Sequence, residues 1–125
     1  MVKVITIPVH GRPGVKDTAT DVDALQRLID GGFIESLSLG KHLALWFDED
    51  GLAKKLLRNV VATQIAWRRI VGPAVLIRSD NDGNLVDVTD AEYEPVLRLA
   101  PPDPPVHEQI QAAAEAVAAH YEDPK

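Results

Sequence analysis

Cysteine is absent from this 125-residue chain, which excludes disulfide bonds, thiolate metal sites and a cysteine nucleophile. We therefore expect a cytoplasmic protein. No apolar run approaches the roughly 20 residues that a transmembrane helix requires. Lys3, Thr6 and Pro8 interrupt the apolar N-terminus, where a signal peptide would need a continuous apolar core. The sequence thus predicts a soluble protein without a membrane partner.

Aromatic residues are also scarce, at 5% of the chain, whereas apolar residues of all kinds reach 46%. This balance is too apolar for intrinsic disorder and predicts one core built mostly from Val, Leu, Ile and Ala. We expect the few large aromatic side chains to be core residues, and these are Phe33, Trp46, Phe47 and Trp67.

Metal-binding patterns are missing as well. The histidines lack the paired spacing of transition-metal ligands, and they are His10, His42, His107 and His120. The run 80–84 begins like a calcium loop. However, Leu85 stands where an EF-hand needs Gly and Ala91 where it needs Glu, so a turn is predicted there instead. The sequence predicts no metal site and no cofactor.

No catalytic residue can be assigned. The serines near predicted strands, Ser36, Ser38 and Ser79, lack a nucleophile-elbow signature. The run 10–14 lacks the spacing and the Lys-Ser/Thr pair of a phosphate-binding loop, and Pro13 donates no N–H. Glu35 stands among apolar residues, as either a buried carboxylate or an exposed residue of an edge strand. We expect a protein that is not an enzyme.

The apolar periodicity and the turn residues predict an α+β fold. Its mostly antiparallel sheet has about five strands, with two helices on one side and the element order β-α-β-β-α-β-β. The strands are predicted over 2–9, 33–39, 43–47, 74–77 and 85–88, with a helical turn over 52–57. The helices are predicted from a cap at Thr20 or Asp21 to Gly31-Gly32, and from a cap at Asn59 to about residue 70.

The C-terminal part of the sequence has a different character. Four prolines fall within residues 100–105, which is typical of an extended, semi-rigid spacer. We therefore predict an α+β domain over 1–99, a proline-rich spacer over 100–105 and an amphipathic helix over 106–121.

This C-terminal helix is predicted to present a narrow apolar stripe of Ile110, Ala114, Val117 and Tyr121. A helix of about 15 residues is marginal alone in water, so another surface should cover the stripe. The sequence leaves open whether the stripe packs on its own sheet or forms a protein interface with a second copy or a partner.

Charge is distributed unevenly along the chain, whose formal net charge is -6. Residues 52–79 contain no carboxylate, and residues 80–125 are strongly acidic. The basic segment 52–79 suggests phosphate or nucleotide binding, with candidate residues Lys54, Lys55, Arg58, Trp67, Arg68 and Arg69. The alternative is an ordinary solvated surface whose cations pair with acidic neighbours.

Five short motifs occur in order along the chain, and they are residues 33–40, 48–51, Asn59 with Ala62 and Thr63, 71–76, and 80–83. Together they resemble a small uncharacterised family, a domain of unknown function found in bacteriophages, plasmids and actinobacteria. The resemblance covers about residues 2–88. It implies a phage or mobile-element accessory protein in a bacterial cytoplasm, and it brings no known active site.

The sequence therefore favours a non-enzymatic accessory protein that acts by protein–protein binding. The partner would be a host protein or a second copy in a homodimer, with the C-terminal helix as the interface. The alternative is binding of a nucleotide or nucleic acid through residues 52–79, for example to sequester a signal nucleotide. Two further alternatives for the function are an enzyme and a mimic of nucleic acid, the latter formed by the acidic residues 80–125.

Overall fold

The computed structural model describes residues 1–40 and 42–100, and it confirms an α+β fold with an antiparallel sheet. The predicted C-terminal helix and the spacer beyond Ala100 lie outside the described residues. Within the described ranges, no helix is long and apolar enough to span a membrane. In chain order the elements are β1 (Val2–Ile7), β2 (Gly14–Thr18), α1 (Val22–Ile29), β3 (Ile34–Gly40), β4 (Leu43–Asp48), α2 (Val60–Ala66), β5 (Ala74–Ser79), β6 (Leu85–Val86) and α3 (Asp90–Leu99).

The sheet has the strand order β2-β1-β5-β4-β3, and all of its pairings are antiparallel. β5 is the central strand, pairing with β1 on one edge and with β4 on the other. The short strand β6 pairs with the last two residues of β5. The predicted hairpin of β3 and β4 is present, and both of its strands lie within two residues of their predicted bounds.

Helices cover both faces of the sheet, so the prediction of helices on one side was wrong. Along β5, Ala74 and Leu76 pack in a core shared with α2 and α3. The alternating residues Val75 and Ile77 pack on the opposite face with Ile29 of α1. The reason is the central strand itself, which is apolar on both faces and must therefore be covered on both.

Strand β2 was not predicted because its sequence, Gly-Val-Lys-Asp-Thr, lacks an apolar alternation. It forms at the edge of the sheet, where β1 supplies a complete partner strand and the register runs from Val2 opposite Thr18 to Thr6 opposite Gly14. Long-range pairing thus determines this strand more than local propensity does.

Helix α3 was not predicted either, because Pro95 lies inside it and a proline interrupts helical hydrogen bonding. The helix is stabilised at its start, where the Glu92 carboxylate accepts hydrogen bonds from the backbone N–H and the hydroxyl of Thr89. It is also held by burial of Val96 in the larger core. Capping and packing together outweigh the cost of the proline.

Helix α2 ends at Ala66, four residues before the predicted end. Trp67 adopts a left-handed conformation, with φ of 57°, and its N–H donates to the Thr63 carbonyl. The chain then reverses, so that Ile70 returns to the core. The Thr63 hydroxyl accepts a hydrogen bond from the Ile70 N–H, which closes this reversal. Arg68 and Arg69 consequently lie on a loop and not on the helix.

Asn59 begins α2, as predicted, but its side chain does more than cap a helix. The residue is completely buried. Its carbonyl oxygen Oδ1 accepts from the Ala62 N–H at 3.0 Å, which is the cap. Its Nδ2 donates to the backbone carbonyls of Ile7 at 2.8 Å and Gly72 at 3.0 Å. One side chain therefore joins the end of β1, the start of α2 and the segment that leads into β5.

The backbone of Asn59 completes this connection. Its N–H donates to the Ile70 carbonyl at 2.8 Å, and its carbonyl accepts from the Thr63 N–H at 2.9 Å. Ala62 is also fully buried, so only a small side chain fits beside this junction. The motif of Asn59, Ala62 and Thr63 is thus explained by folding and requires no ligand.

Replacement of Asn59 should destabilise the whole fold. In the Asn59→Ala variant, two buried carbonyls lose their donor and α2 loses its cap, so we expect the free energy of unfolding to fall by about 3 kcal/mol. Chemical denaturation measures this loss. The matched control is Gln64→Ala, an exposed position on the same helix, which should change stability by less than about 0.5 kcal/mol. Equal effects of the two substitutions would contradict the role assigned to Asn59.

Candidate functional site

Three of the loops at one end of the sheet are 30–33, 49–59 and 67–73, and we call the region that they form the loop end. The Glu49 N–H donates to the Phe33 carbonyl at 3.0 Å, which joins the first two loops. The Gly72 N–H donates to the Leu57 carbonyl at 2.7 Å, which joins the second and third. Arg58 and Val71 form an antiparallel bridge between the same two loops. The loops therefore form one connected end of the molecule.

Trp67 is the most unusual residue of the loop end. Its side chain is 93% exposed, although tryptophan is the largest apolar side chain a protein can bury. Its φ of 57° is a left-handed backbone conformation that costs a non-glycine residue about 1 kcal/mol. The residue thus incurs conformational strain without burying its ring. Such strain is typical of functional positions.

Two more apolar side chains are exposed in the same region, since Phe33 and Leu52 are each 67% exposed. Phe33 and Trp67 were predicted as core residues, and for both the prediction was wrong. Phe33 follows directly after Gly31-Gly32 and precedes the first residue of β3, while Trp67 follows the early end of α2. Both therefore lie in loops, where the apolar periodicity of the neighbouring elements no longer applies.

We call Phe33, Leu52, Lys55, Trp67 and Arg69 the loop-end surface. Every one of these residues is exposed. Aromatic residues and arginine are enriched at protein interfaces and dominate their binding energy. The sequence predicted this surface only in part. Lys55, Trp67 and Arg69 were candidate binding residues, whereas Phe33 and Leu52 carry no signal that separates them from other apolar residues.

Arg68 is occupied by contacts within the molecule. Its guanidinium lies 3.2 Å from the Glu35 carboxylate and 5.4 Å from the centre of the Phe47 ring, on the face of the sheet that α2 covers. Glu35 is a half-exposed residue of the edge strand β3, which agrees with one of the two interpretations of its position. The Arg68 guanidinium therefore lies over the Phe47 ring and is already paired with a carboxylate.

Lys54 is also paired. Its Nζ lies 2.6 Å from Oδ2 of Asp48, whose side chain is completely buried. The other oxygen of Asp48 accepts from the Asp50 N–H at 2.8 Å. Gly31 leaves room for this carboxylate, because a Cβ there would stand 2.8 Å from the Asp48 Cγ. The hydrogen bond that Lys54 donates to Asp48 raises the pKa of Lys54 above its ordinary value of 10.5.

The six candidate residues for phosphate or nucleotide binding all lie in the loops of the loop end. Two of them, Arg68 and Lys54, pair with carboxylates on opposite faces of the sheet. Glu35, the partner of Arg68, shares the face of Phe47, whereas Asp48, the partner of Lys54, points toward the end of α1. Within residues 1–40 and 42–100, the candidates that form no salt bridge are Lys55, Arg58 and Arg69. The basic segment is thus split between both sides of the sheet.

A second feature is an apolar groove of about 420 Å³ beside α3, which we call the α3 groove. Arg78 and Glu92 both line it, with 3.8 Å between Nη1 and Oε1. Arg78 is the one basic residue of segment 52–79 that lies away from the loop end. The apolar residues that line the groove are Leu43, Ile65, Leu76, Ala91, Pro95, Val96 and Leu99.

No group of three or more potential metal ligands occurs in the part of the chain that the structure describes. The acidic run 80–84 forms the turn between β5 and β6, as predicted. Hydrogen bonds from the backbone N–H groups of Asn84 and Asp82 lower the pKa of Asp80. These bonds explain why carboxylates and amides are found at this turn.

Comparison with known proteins identifies the family. The model of a domain of unknown function, DUF3846, matches residues 2–100, and the chain belongs to this family. The match extends from β1 to the end of α3 and thus includes the whole described fold. No curated protein and no solved structure matches the chain.

The pairing of Lys54 with Asp48 should be visible in the pH dependence of stability. Because this pairing raises the Lys54 pKa, it stabilises the fold below pH 10.5 and is lost as the pH rises through the raised pKa. The Lys54→Met variant should therefore be less stable than the wild type at pH 7, and the difference should shrink above about pH 10.5. Denaturant unfolding between pH 7 and pH 12 measures both differences.

The control is Lys55→Met, which removes the neighbouring ammonium group. Because Lys55 forms no salt bridge with the described residues, this variant should follow the wild-type pH profile. If the Lys54→Met variant showed a constant difference from the wild type up to pH 12, the Lys54–Asp48 pair would not contribute to stability.

Proposed function

We propose that this protein is a non-enzymatic accessory protein that acts by binding another protein, and that the loop-end surface is the binding site. The observation that carries the proposal is Trp67, whose ring is 93% exposed and whose backbone is held in a left-handed conformation. A partner that covered this ring would recover the burial energy that folding leaves unused, which is of the order of 2 kcal/mol.

The neighbours of Trp67 support a protein partner over a phosphate group. Phe33 and Leu52 add apolar area that a phosphate cannot cover. Arg68 and Lys54, two of the nearby cations, are already paired with carboxylates. Trp67 also follows the C-terminal end of α2, where the helix dipole is negative and repels anions.

The charge of the loop-end surface indicates which kind of protein surface would fit. Lys55 is exposed in the same loop as Leu52, Arg69 is exposed in the same loop as Trp67, and Arg58 bridges these two loops by its pairing with Val71. An acidic partner surface with an apolar centre would complement them. The cations would then direct the encounter, and the aromatic rings would supply most of the affinity.

The setting of this function is proposed from the family resemblance and the composition. A phage or mobile-element protein without cysteine suits the bacterial cytoplasm, where a host protein would be the partner. Self-association as a homodimer is the other form of protein binding. The predicted C-terminal stripe of Ile110, Ala114, Val117 and Tyr121 stays a prediction as an interface.

A second candidate function is the binding of a nucleotide or a nucleic acid at the same surface. The favouring observation is again Trp67, because an exposed indole beside Arg69 could stack on a base while the guanidinium contacts a phosphate. This function makes a different prediction, since binding dominated by phosphate contacts weakens steeply as the salt concentration rises.

The Trp67→Gly variant should separate folding from function. Glycine removes the exposed ring and accepts the positive φ, so we expect the free energy of unfolding to stay constant or rise by up to about 1 kcal/mol. Binding should nevertheless be lost. The measurement is affinity capture from a bacterial lysate on the immobilised full-length chain at two salt concentrations, with the retained proteins and nucleotides identified by mass spectrometry.

The matched control is Val22→Ala on α1, which removes another exposed apolar side chain far from the loop end. We expect the wild type and this control to retain the same protein at both salt concentrations, and Trp67→Gly to lose it. Retention of that protein by Trp67→Gly would refute the proposed site. Retention of a nucleotide that is released at the higher salt concentration would favour the second candidate function.

A further inference from the structure

The outer side of β3 is an open edge of the sheet. β3 pairs with β4 on its inner side, and within residues 1–40 and 42–100 no strand pairs with its outer side. With seven residues, β3 is also the longest strand in these ranges. An edge of this length presents a row of backbone N–H and C=O groups to which another strand can bond.

The hydrogen bonds of the sheet show which residues of β3 face outward. The Glu49 N–H donates to the Phe33 carbonyl, and the pairing of β3 with β4 continues in the same register. Since hydrogen-bonded and non-bonded pairs alternate along antiparallel strands, the odd-numbered residues of β3 bond to β4. The N–H and C=O groups of the even-numbered residues Ile34, Ser36 and Ser38 therefore point away from the sheet.

The two edges of the sheet differ in their protection against pairing. The other edge strand, β2, exposes the charged residues Lys16 and Asp17, and α3 contacts it. β3 contains no lysine, arginine or proline, and its one charged residue, Glu35, is already paired with Arg68. Because charged side chains and covering elements are the usual means of blocking an edge, β3 is the edge that is open to pairing.

We propose that the edge of β3 pairs with the same edge in a second copy of this chain, antiparallel and around a two-fold axis at Ser36. Ser36 then lies opposite Ser36 of the second copy, and Ile34 of each copy lies opposite Ser38 of the other. In each copy, the three N–H and three C=O groups that point outward all find a partner. The two sheets become one, and the assembly closes at two copies because β2 is protected.

The side chains of β3 favour this register. Ser36, at the axis, is small and exposed, so two strands can approach there. Glu35 would lie opposite Leu37 of the second copy, which avoids a pair of like charges. An axis at Glu35 would place the two carboxylates opposite each other, and an axis at Leu37 would pair Ile34 with Gly40, beside the irregularity in the β3–β4 register. β3 is therefore complementary to a second copy of itself.

This pairing does not rest on the proposed function. The bonded stretch runs from Ile34 to Ser38 and includes no residue of the loop-end surface. A variant can therefore lose the dimer and keep the loop-end surface, or the reverse.

A charge at position 36 tests the axis on the full-length chain. In Ser36→Lys, two ammonium groups would lie opposite each other in the dimer, whereas lysine is a common residue on the open edge of a single chain. We expect the wild type to be a dimer in sedimentation equilibrium, and Ser36→Lys to raise the dissociation constant of the dimer about tenfold or more. The matched control is Val15→Lys on β2, an exposed position that should leave the dissociation constant unchanged.

Opposite charges should restore the pairing. Ser36→Lys and Ser36→Glu should each be monomeric at a concentration where the wild type is dimeric, and their equimolar mixture should form a heterodimer. Native mass spectrometry distinguishes the heterodimer from either homodimer by mass. Ser36→Glu alone makes the same prediction as Ser36→Lys, so it replaces that variant in the first test if the lysine prevents folding.

The absence of cysteine allows a separate test of the register. Residues in a hydrogen-bonded antiparallel pair have Cα atoms about 5.5 Å apart, within the range of about 4.4–6.8 Å that disulfides span. We expect mild oxidation to link two copies of Ser36→Cys, while Lys16→Cys on the β2 edge stays unlinked.

Three results would overturn the inference. The first is a wild-type chain that stays monomeric at every concentration tested. The second is a dimer whose dissociation constant is the same in the wild type and in Ser36→Lys, because its interface would then lie elsewhere. The third is oxidation that links Ser36→Cys no better than Lys16→Cys, because the two Ser36 positions would then not face each other.

Discussion

The buried side chain of Asn59 holds together three parts of the fold, namely the end of β1, the start of α2 and the segment that leads into β5. A primary amide in an apolar core is costly unless each of its polar atoms is satisfied, and here all of them are: Oδ1 by the first turn of α2, and Nδ2 by carbonyls at the end of β1 and at Gly72. The two carbonyls belong to residues that are 52 and 13 positions away from Asn59 in the sequence. The amide therefore fixes where α2 starts relative to the two strands in the middle of the sheet.

The loop end follows from this constraint. Because Asn59 and Thr63 both bond to Ile70, the chain must reverse within the few residues after α2, and Trp67 takes the left-handed conformation at that reversal. Its ring then projects away from the core. Lys54 and Arg68 pair with carboxylates on the two faces of the sheet, whereas Lys55 and Arg69 are exposed and form no salt bridge with the described residues. The same bonds that hold the fold together thus create the proposed binding surface.

The sequence predicted what local patterns determine. The hairpin of β3 and β4, the cap at Asn59 and the turn at 80–84 all rest on short-range signals, and all three are present. β2 and α3 were missed because pairing with β1 and packing against the larger core decide them. The early end of α2 was not predicted for a related reason. The Thr63 hydroxyl accepts a hydrogen bond from the N–H of Ile70, seven residues further along the chain, and this contact closes the reversal after the helix.

The candidate site could also be predicted from the sequence only in part. The basic residues of segment 52–79 were visible in the sequence, but their salt bridges were not, because Glu35 and Asp48 lie outside that segment. Phe33 was expected in the core, and only the position of its loop shows that it is exposed. An interface is defined by which side chains remain uncovered after folding, and the packing that decides this involves residues from the whole chain.

The most direct test of the loop-end surface is covalent footprinting of the full-length wild-type chain, alone and in complex with a protein captured from a bacterial lysate. Oxidative labelling of side chains is read out residue by residue by mass spectrometry. We expect Trp67 and Phe33 to lose reactivity in the complex, while Val22 on α1 keeps it. Unchanged reactivity of Trp67 in a saturated complex would refute the loop-end surface as the binding site.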